Sequence, residues 1–243
     1  MENRIKNEIE HGKYLLEHGA GEVWNWSSPA GIVRWQRRVK MLTAKLQAQH
    51  RVLELGCGTG FFTKEIVKTG ASVVAIDISP ELLAVARKEI TAPNVELIIE
   101  NAYQTSFPDA SFDSIIGSSV LHHLDTEKAF NEIYRLLKPG GCLAFTEPNM
   151  MNPQIALQKN IPWLKRKLGD SPDETAFFKW KIKRQLKKKG FKAVDVIPFD
   201  FLHPGVPQGM VSMVNKMGAI IEKTPLLRNI AGSLYIYAQK TDQ

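Results

Sequence analysis

Residues Arg51 to Gly60 read RVLELGCGTG, and this stretch sets the expectations for the rest of the chain. The run RVLEL is short and apolar enough for a buried strand, and it breaks into glycines at positions 56, 58 and 60. Glycine has no Cβ and tolerates positive φ, so a turn built this way lets backbone approach a ligand closely. A strand that ends in such a turn and re-enters a helix places a small-molecule site at the carboxyl edge of a parallel sheet. The next apolar run, Ser72 to Ile76 (SVVAI), ends beside Asp77. In nucleotide-binding βαβ units an acidic side chain about twenty residues past the glycines accepts hydrogen bonds from ribose hydroxyls, so an adenosine-containing cofactor is expected. The spacing is GxGxG, with Phe61 where the third glycine of a GxGxxG dinucleotide motif would stand. No pyrophosphate cradle is therefore expected, which weighs against a nicotinamide oxidoreductase.

Working outward, further strands are expected at Val95 to Ile99 (VELII), Phe112 to Ile116 (FDSII) and Cys142 to Thr146 (CLAFT). Helices fit between them at Phe61 to Thr69, at Pro80 to Ile90 with Ser79 as N-cap, and at Thr126 to Leu137, where KPGG stops the last. Strands alternating with helices predict a mainly parallel sheet. Residues 1–50 form an amino-terminal cap with Trp24, Trp26 and Trp35 and a helix over Ile32 to Leu46. The remaining domain, 51–243, carries two additions, 148–175 and 201–232, placed to roof a pocket. A basic helix from about Glu174 to Lys189, a strand at Ala193 to Ile197 and a final strand at Ser233 to Ala238 complete the pattern.

The 243 residues are 44% hydrophobic and 23% charged, a globular balance that excludes a disordered tail. No run approaches the roughly 18 apolar residues of a membrane span, and the charged start MENRIKNEIEHGKY does not resemble a signal peptide. A cytoplasmic location is expected, with Cys57 and Cys142 reduced and no zinc-type cluster. The net charge of +7 is concentrated: Lys159 to Lys192 holds twelve basic and three acidic residues. Such a patch attracts phosphate, anionic lipid or nucleic acid, or is simply a solvated helix face.

The glycine motif, read together with Asp77, Asn101-Ala102, FPDASFD (Phe107 to Asp113), GSSVLHHL (Gly117 to Leu124) and LLKPGG (Leu136 to Gly141), resembles the class I S-adenosylmethionine-dependent methyltransferases over residues 50–147. The overall look is similar to the group that includes quinone-biosynthesis methyltransferases. The resemblance implies a Rossmann-like, seven-stranded, mostly parallel sheet flanked by helices, with S-adenosylmethionine as methyl donor and S-adenosylhomocysteine as product. It implies that Gly56, Cys57, Gly58 and Gly60 line the methionine part, that Glu54 or the loop backbone holds the amino group, and that Asp77 with Ile78 takes the ribose. Asn101 and Ala102 would read the adenine edge, and Ser118 would stand near the reactive methyl. Asn101 departs from the Asp of many relatives, yet an amide oxygen still accepts from an exocyclic amine.

His122 and His123 follow the fourth strand, where the resemblance puts the acceptor atom. Imidazole suits removal of a hydroxyl proton near neutral pH, and His123 is the slightly favoured base; packing or capping in the turn is the alternative. The Asn/Asp-Pro-Pro-Tyr/Phe sequence of adenine and glutamine methylating enzymes is missing from the Ser118-Ser119-Val120 position, and neither cysteine suits attack on a pyrimidine. No metal is expected. The acceptor is expected to be a small or lipid-linked molecule, methylated on oxygen in preference to nitrogen or carbon, with Trp24, Trp26 and Asn149 as candidate substrate contacts. The apolar positions Met210, Val211, Met213, Val214, Met217, Ile220 and Ile221 recur at helical spacing and, with the lysines of 179–189, raise contact with an anionic membrane; nucleic acid is disfavoured. A non-catalytic cofactor- or RNA-binding scaffold is the competing expectation, and the sequence does not fix the oligomeric state.

Overall fold

The β-branched runs of the core form strands: β1 Arg51–Leu55, β2 Ser72–Asp77, β3 Val95–Ile99, β4 Phe112–Ser118 and β5 Leu137–Pro148, joined by β6 Lys192–Phe199 and β7 Ser233–Gln239. The computed structural model describes residues 2–19, 21 and 25–242. Its sheet has seven strands in the order β3-β2-β1-β4-β5-β7-β6. Strands β1 to β5 are parallel, and β7 runs antiparallel to both β5 and β6. The chain builds from β1 towards β3, then returns to β4 and grows the other way. The resulting switch point between β1 and β4 is where open α/β sheets bind ligands.

Helices cover both faces. On one side α2 (Pro29–Thr43), α3 (Thr63–Ile66, running on into a 3-10 turn) and α4 (Pro80–Glu89) pack Leu42, Ile66 and Leu83 on Val52, Val73 and Ala75. On the other, α5 (Thr126–Leu136) and α8 (Lys179–Lys189) bring Phe130, Ile133, Ile182 and Leu186 onto Leu53, Ile115, Leu143 and Ile236. The neighbours Val52 and Leu53 face opposite sides because strand side chains alternate. The caps are local chemistry: Ser79 Oγ accepts from Leu82 N–H ahead of Pro80, and Asp125 accepts from Glu127 and Lys128.

Four elements depart from the sequence expectations. Residues Glu2–His18 form a helix, α1, that the charged composition concealed. The helix expected from Ile32 starts at Pro29, because Ser28 caps it by accepting from Gly31 N–H. The basic helix starts at Lys179, since the residues before it are engaged in extended contacts: Thr175 N–H donates to the His122 carbonyl, and Phe177 bridges to Asn149. Finally, Lys138 to Gly141 lies within β5 rather than in a turn, as Leu137 already pairs with Phe112. The 148–175 addition holds two short helices, α6 (Pro153–Asn160) and α7 (Pro162–Lys167), and the 201–232 addition holds α9 (Gln208–Ile221).

Candidate active site

A cavity of about 550 Å³ opens at the carboxyl ends of the strands, within the roughly 300–1,000 Å³ range of small-molecule sites. Gly56, Cys57, Gly58, Asp77, Ile78, Asn101, Ala102, Ser118, His122, His123 and Trp26 all contribute to its wall. Gly56 sits at φ +66°, and a Cβ there would lie 2.4 Å from Val120 Cγ2, so the turn excludes any side chain. Gly58 N–H donates to Asp77 Oδ2 at 2.8 Å and Ser79 N–H to Oδ1 at 2.9 Å. Each carboxylate oxygen therefore keeps a lone pair for a ligand hydroxyl. Burial raises the Asp77 pKa against the lowering effect of those backbone donors. Asn101 Oδ1 accepts from Tyr103 N–H, and the amide nitrogen has no partner among the described residues.

The opposite wall is a network of charge. Glu147, at the end of β5, accepts from Val120 N–H (3.0 Å), Leu121 N–H (2.8 Å) and His122 Nδ1 (2.7 Å). A carboxylate that already accepts backbone N–H groups calls for a donor at Nδ1, which leaves the Nε2 lone pair of His122 open. Ser119 helps aim this turn, holding a left-handed φ of 56° directly after β4. His123 Nδ1 lies 2.7 Å from Glu8 Oε2 on α1 and 3.9 Å from Glu174 Oε1, and His122 Nε2 lies 3.7 Å from Glu174 Oε2. Lys159 donates to Glu174 and lies 2.9 Å from Asp170. Burial and the neighbouring His123 lower the His122 pKa, although Glu147 opposes them. At His123 burial also acts to lower the value, but Glu8 and Glu174 outweigh it and the pKa is raised. His122 is thus the ring more easily kept neutral and His123 the one more readily protonated. Donor atoms of His122, His123 and Glu174 all lie within 4.8 Å of one another, a set able to hold a metal ion, and the Lys159 ammonium already brings a positive charge to Glu174.

At the far end α2 presents Arg34 and Arg38. Both reach Asp200 Oδ2, at 2.9 and 2.8 Å, and Arg38 also donates to Ser233 Oγ at 2.6 Å. Arg34 uses only its Nε in this way, so its terminal N–H groups have no acceptor among the described residues while the side chain lines the cavity. Both guanidinium groups stand over the Trp26 ring, 5.6 and 5.3 Å from its centroid.

Three of the residues expected in the site lie outside the wall. Glu54 is 3% exposed, accepts from Thr63 Oγ at 2.6 Å, and burial pushes its carboxyl up to about 7. Gly60 faces Ile90 and Ala86. Asn149 is fully buried and fastens the roof, donating to the carbonyls of Asn229 and Ala231. Trp24 lies outside the described residues. Trp180 is 51% exposed and stacks on Phe178 with centroids 4.8 Å apart, whereas Phe177 is buried. Glu8, His11, Glu147, Lys159 and Glu174 were not legible as a group, because no sequence spacing joins four separate segments.

A family model described as methyltransferase domain matches residues 53–145. The demethylmenaquinone methyltransferase of Chlorobaculum parvum is 30% identical over 198 residues, covering 70% of this chain and 79% of the relative. The chain belongs to the class I S-adenosylmethionine-dependent methyltransferases. The Chlorobaculum tepidum demethylmenaquinone methyltransferase is 29% identical over 213 residues, covering 77% and 81% of the two chains. Among solved structures, a SAM-dependent methyltransferase of Thermotoga maritima superposes with a TM-score of 0.67 at 18% identity, over 95% of this chain and 98% of that one, a likeness of fold. The methyltransferase fold expected from the sequence is therefore the one observed, and the protein is an enzyme.

Proposed function

We propose that this methyltransferase transfers a methyl group to the oxygen of an apolar small molecule or lipid-linked acceptor, with His122 taking the acceptor's proton. One observation carries this. A single cavity joins Gly56, Gly58, Asp77 and Asn101 to a His122 ring pinned through Nδ1 by Glu147, with no hydrogen-bonded partner on Nε2 among the described residues. S-adenosylmethionine, when bound, supplies an electrophilic methyl on a sulfonium centre. Asp77 and Ile78 would hold its ribose, Asn101 and Ala102 its adenine edge, and the unpaired Arg34 N–H groups its carboxylate. The loop backbone of Gly56 to Gly58 takes the amino-group role considered for Glu54, whose carboxyl is turned to Thr63. Residues 1–50 serve as cap, with α1 closing one side of the cavity through Glu8 and His11, and no metal takes part. His122 accepts the proton, while His123, the more readily protonated ring, stays paired with Glu8.

The proposed workplace is the cytoplasm, with small molecules rather than nucleic acid as substrates and a membrane surface within reach of a lipid-linked acceptor. Among the described residues no helix is long and apolar enough to cross a membrane. Calorimetric titration with S-adenosylhomocysteine tests the cofactor half: micromolar binding by the wild type and its loss in Asp77→Ala are expected. For the acceptor half, turnover of hydroxyl acceptors with a loss of rate in His122→Gln is expected. Transfer to nitrogen or carbon alone by the wild type would refute the oxygen preference.

A further inference from the structure

The roof has a composition unlike the rest of the surface. Residues 149–169 and 201–232 together hold seven Lys or Arg and one acid, Glu222. That acid is consumed, since Arg37 pairs with it and Asp200 N–H donates to it. The roof also shows large apolar side chains to solvent: Trp163 on α7 is 59% exposed, Ile220 on α9 65% and Leu226 beyond it 82%. Helix α9 is apolar on two sides. It packs Val211 and Val214 on Ala30 and Leu202, and turns Met213, Met217 and Ile220 outward. A helix with a second apolar face exposes a surface that apolar surroundings would cover.

These elements are tied together, with a hydrogen bond between Gln154 and His203 at 2.8 Å and one from Asn152 to the Ile230 carbonyl at 2.9 Å. They also line the cavity, through Ile155, Leu168 and Phe201 to Pro204. The exposed cations are interleaved with the apolar groups: Arg166 and Lys167 follow Trp163, and Lys216 lies between Met213 and Met217. Tryptophan beside lysine and arginine is the composition of a membrane interface, and a face with no free acid selects an anionic one. A second copy fits poorly, because a self-associating face would set its cations against identical cations. Nucleic acid would use the charge and leave the apolar side chains in water.

We propose that this roof face, built from α6, α7, α9 and residues 225–230, docks on an anionic phospholipid bilayer and takes the acceptor from it directly into the cavity. The proposal rests on the apolar, lipid-linked acceptor inferred above and names the surface where that acceptor is met.

Vesicle co-sedimentation of the full chain tests it, comparing phosphatidylcholine alone with phosphatidylcholine doped with phosphatidylglycerol. Binding to the anionic vesicles only, weakened by salt, is expected. Each cation near such a surface contributes about fivefold in binding, so Arg166→Gln, Lys167→Gln and Lys216→Gln together should weaken it roughly 10²-fold. A second variant, Trp163→Ser with Met213→Ser and Met217→Ser, should also lose binding. Both should keep wild-type affinity for S-adenosylhomocysteine, which shows that the fold and the cofactor site survive. Equal sedimentation of wild type and charge variant would overturn the proposal. So would a dimer in light scattering that the serine variant dissolves, or capture of RNA in place of vesicles. Failure on vesicles with cofactor product still bound removes the docking surface alone; failure to bind that product removes the reading of the cavity.

Discussion

Glu54 offers the sharpest test of the electrostatics around the glycine turn. Its carboxyl is held in the folded chain at about 7, against 4.5 for a free side chain, because β1 buries it, with Thr63 alone among the described residues donating a hydrogen bond and Asp77 adding repulsion. A raised carboxyl pKa means the native state binds the proton more tightly than the unfolded chain. Stability is therefore fully present below about pH 4.5 and declines as pH rises towards 7. At 1.36 kcal/mol per unit, the charged form costs about 3 kcal/mol at pH 8. Glu54→Gln keeps the shape and removes the titration. Urea unfolding of both proteins from pH 4 to pH 8 isolates this one group, because the others cancel in the difference. The variant should gain on the wild type by about 1.4 kcal/mol per pH unit between roughly pH 5 and 7, then level off. Parallel curves would refute the reasoning, and would mean that water or a cation reaches Glu54 in the folded chain.

Other outcomes follow from the same geometry. Arg38→Ala strands Asp200 with half of its compensation and should cost about 3–5 kcal/mol in urea unfolding. Asp200 is held below 3.8 despite burial because Arg38 and Arg34 stabilise its charge, so this loss should be full at neutral pH and shrink as pH falls through the folded value. Gly56→Ala must place a Cβ 2.4 Å from Val120 Cγ2 at positive φ; it should destabilise by about 1–3 kcal/mol in thermal melts and weaken S-adenosylhomocysteine binding. His122, lowered by burial and by His123, is neutral through pH 7, so kcat for a hydroxyl acceptor should be flat there and fall on acidification below the ordinary value of 6.5. His122→Gln should abolish that acid limb and reduce kcat about 10²- to 10⁴-fold.

The parallel half of the sheet was legible because each strand carries its own apolar run: β1 and β3 fall on the residues those runs mark. The cap of α4 was equally local, written in Ser79 and Pro80. What escaped was held by distant partners. Helix α1 has few apolar residues and is fastened by Arg4 and Asn7 to Asp173, and by Glu8 to Ser171 and His123, contacts that no local pattern announces. Within the site, Asp77 was pointed to by its spacing from the glycines and Asn101 by the family resemblance, and both line the cavity. The Glu147 to His122 bond was not, for it depends on where β5 ends relative to the turn after β4. The proposal of His122 as the base rests on that bond, whereas the sequence reading slightly preferred His123.

The place of β7 between β5 and β6 has a consequence for the order in which the molecule is assembled during synthesis. The strand that joins the two parts of the sheet is the last of the seven in sequence order, Ser233–Gln239. Until it emerges β6 has no neighbour, and Arg38 lacks its Ser233 partner. The β1 to β5 unit has its own ladders and can form earlier on the ribosome, whereas β6 and the roof must wait with apolar surface uncovered. A chain ending before Ser233 would lack an internal strand of the sheet, so it should be aggregation-prone and not a slightly shortened enzyme.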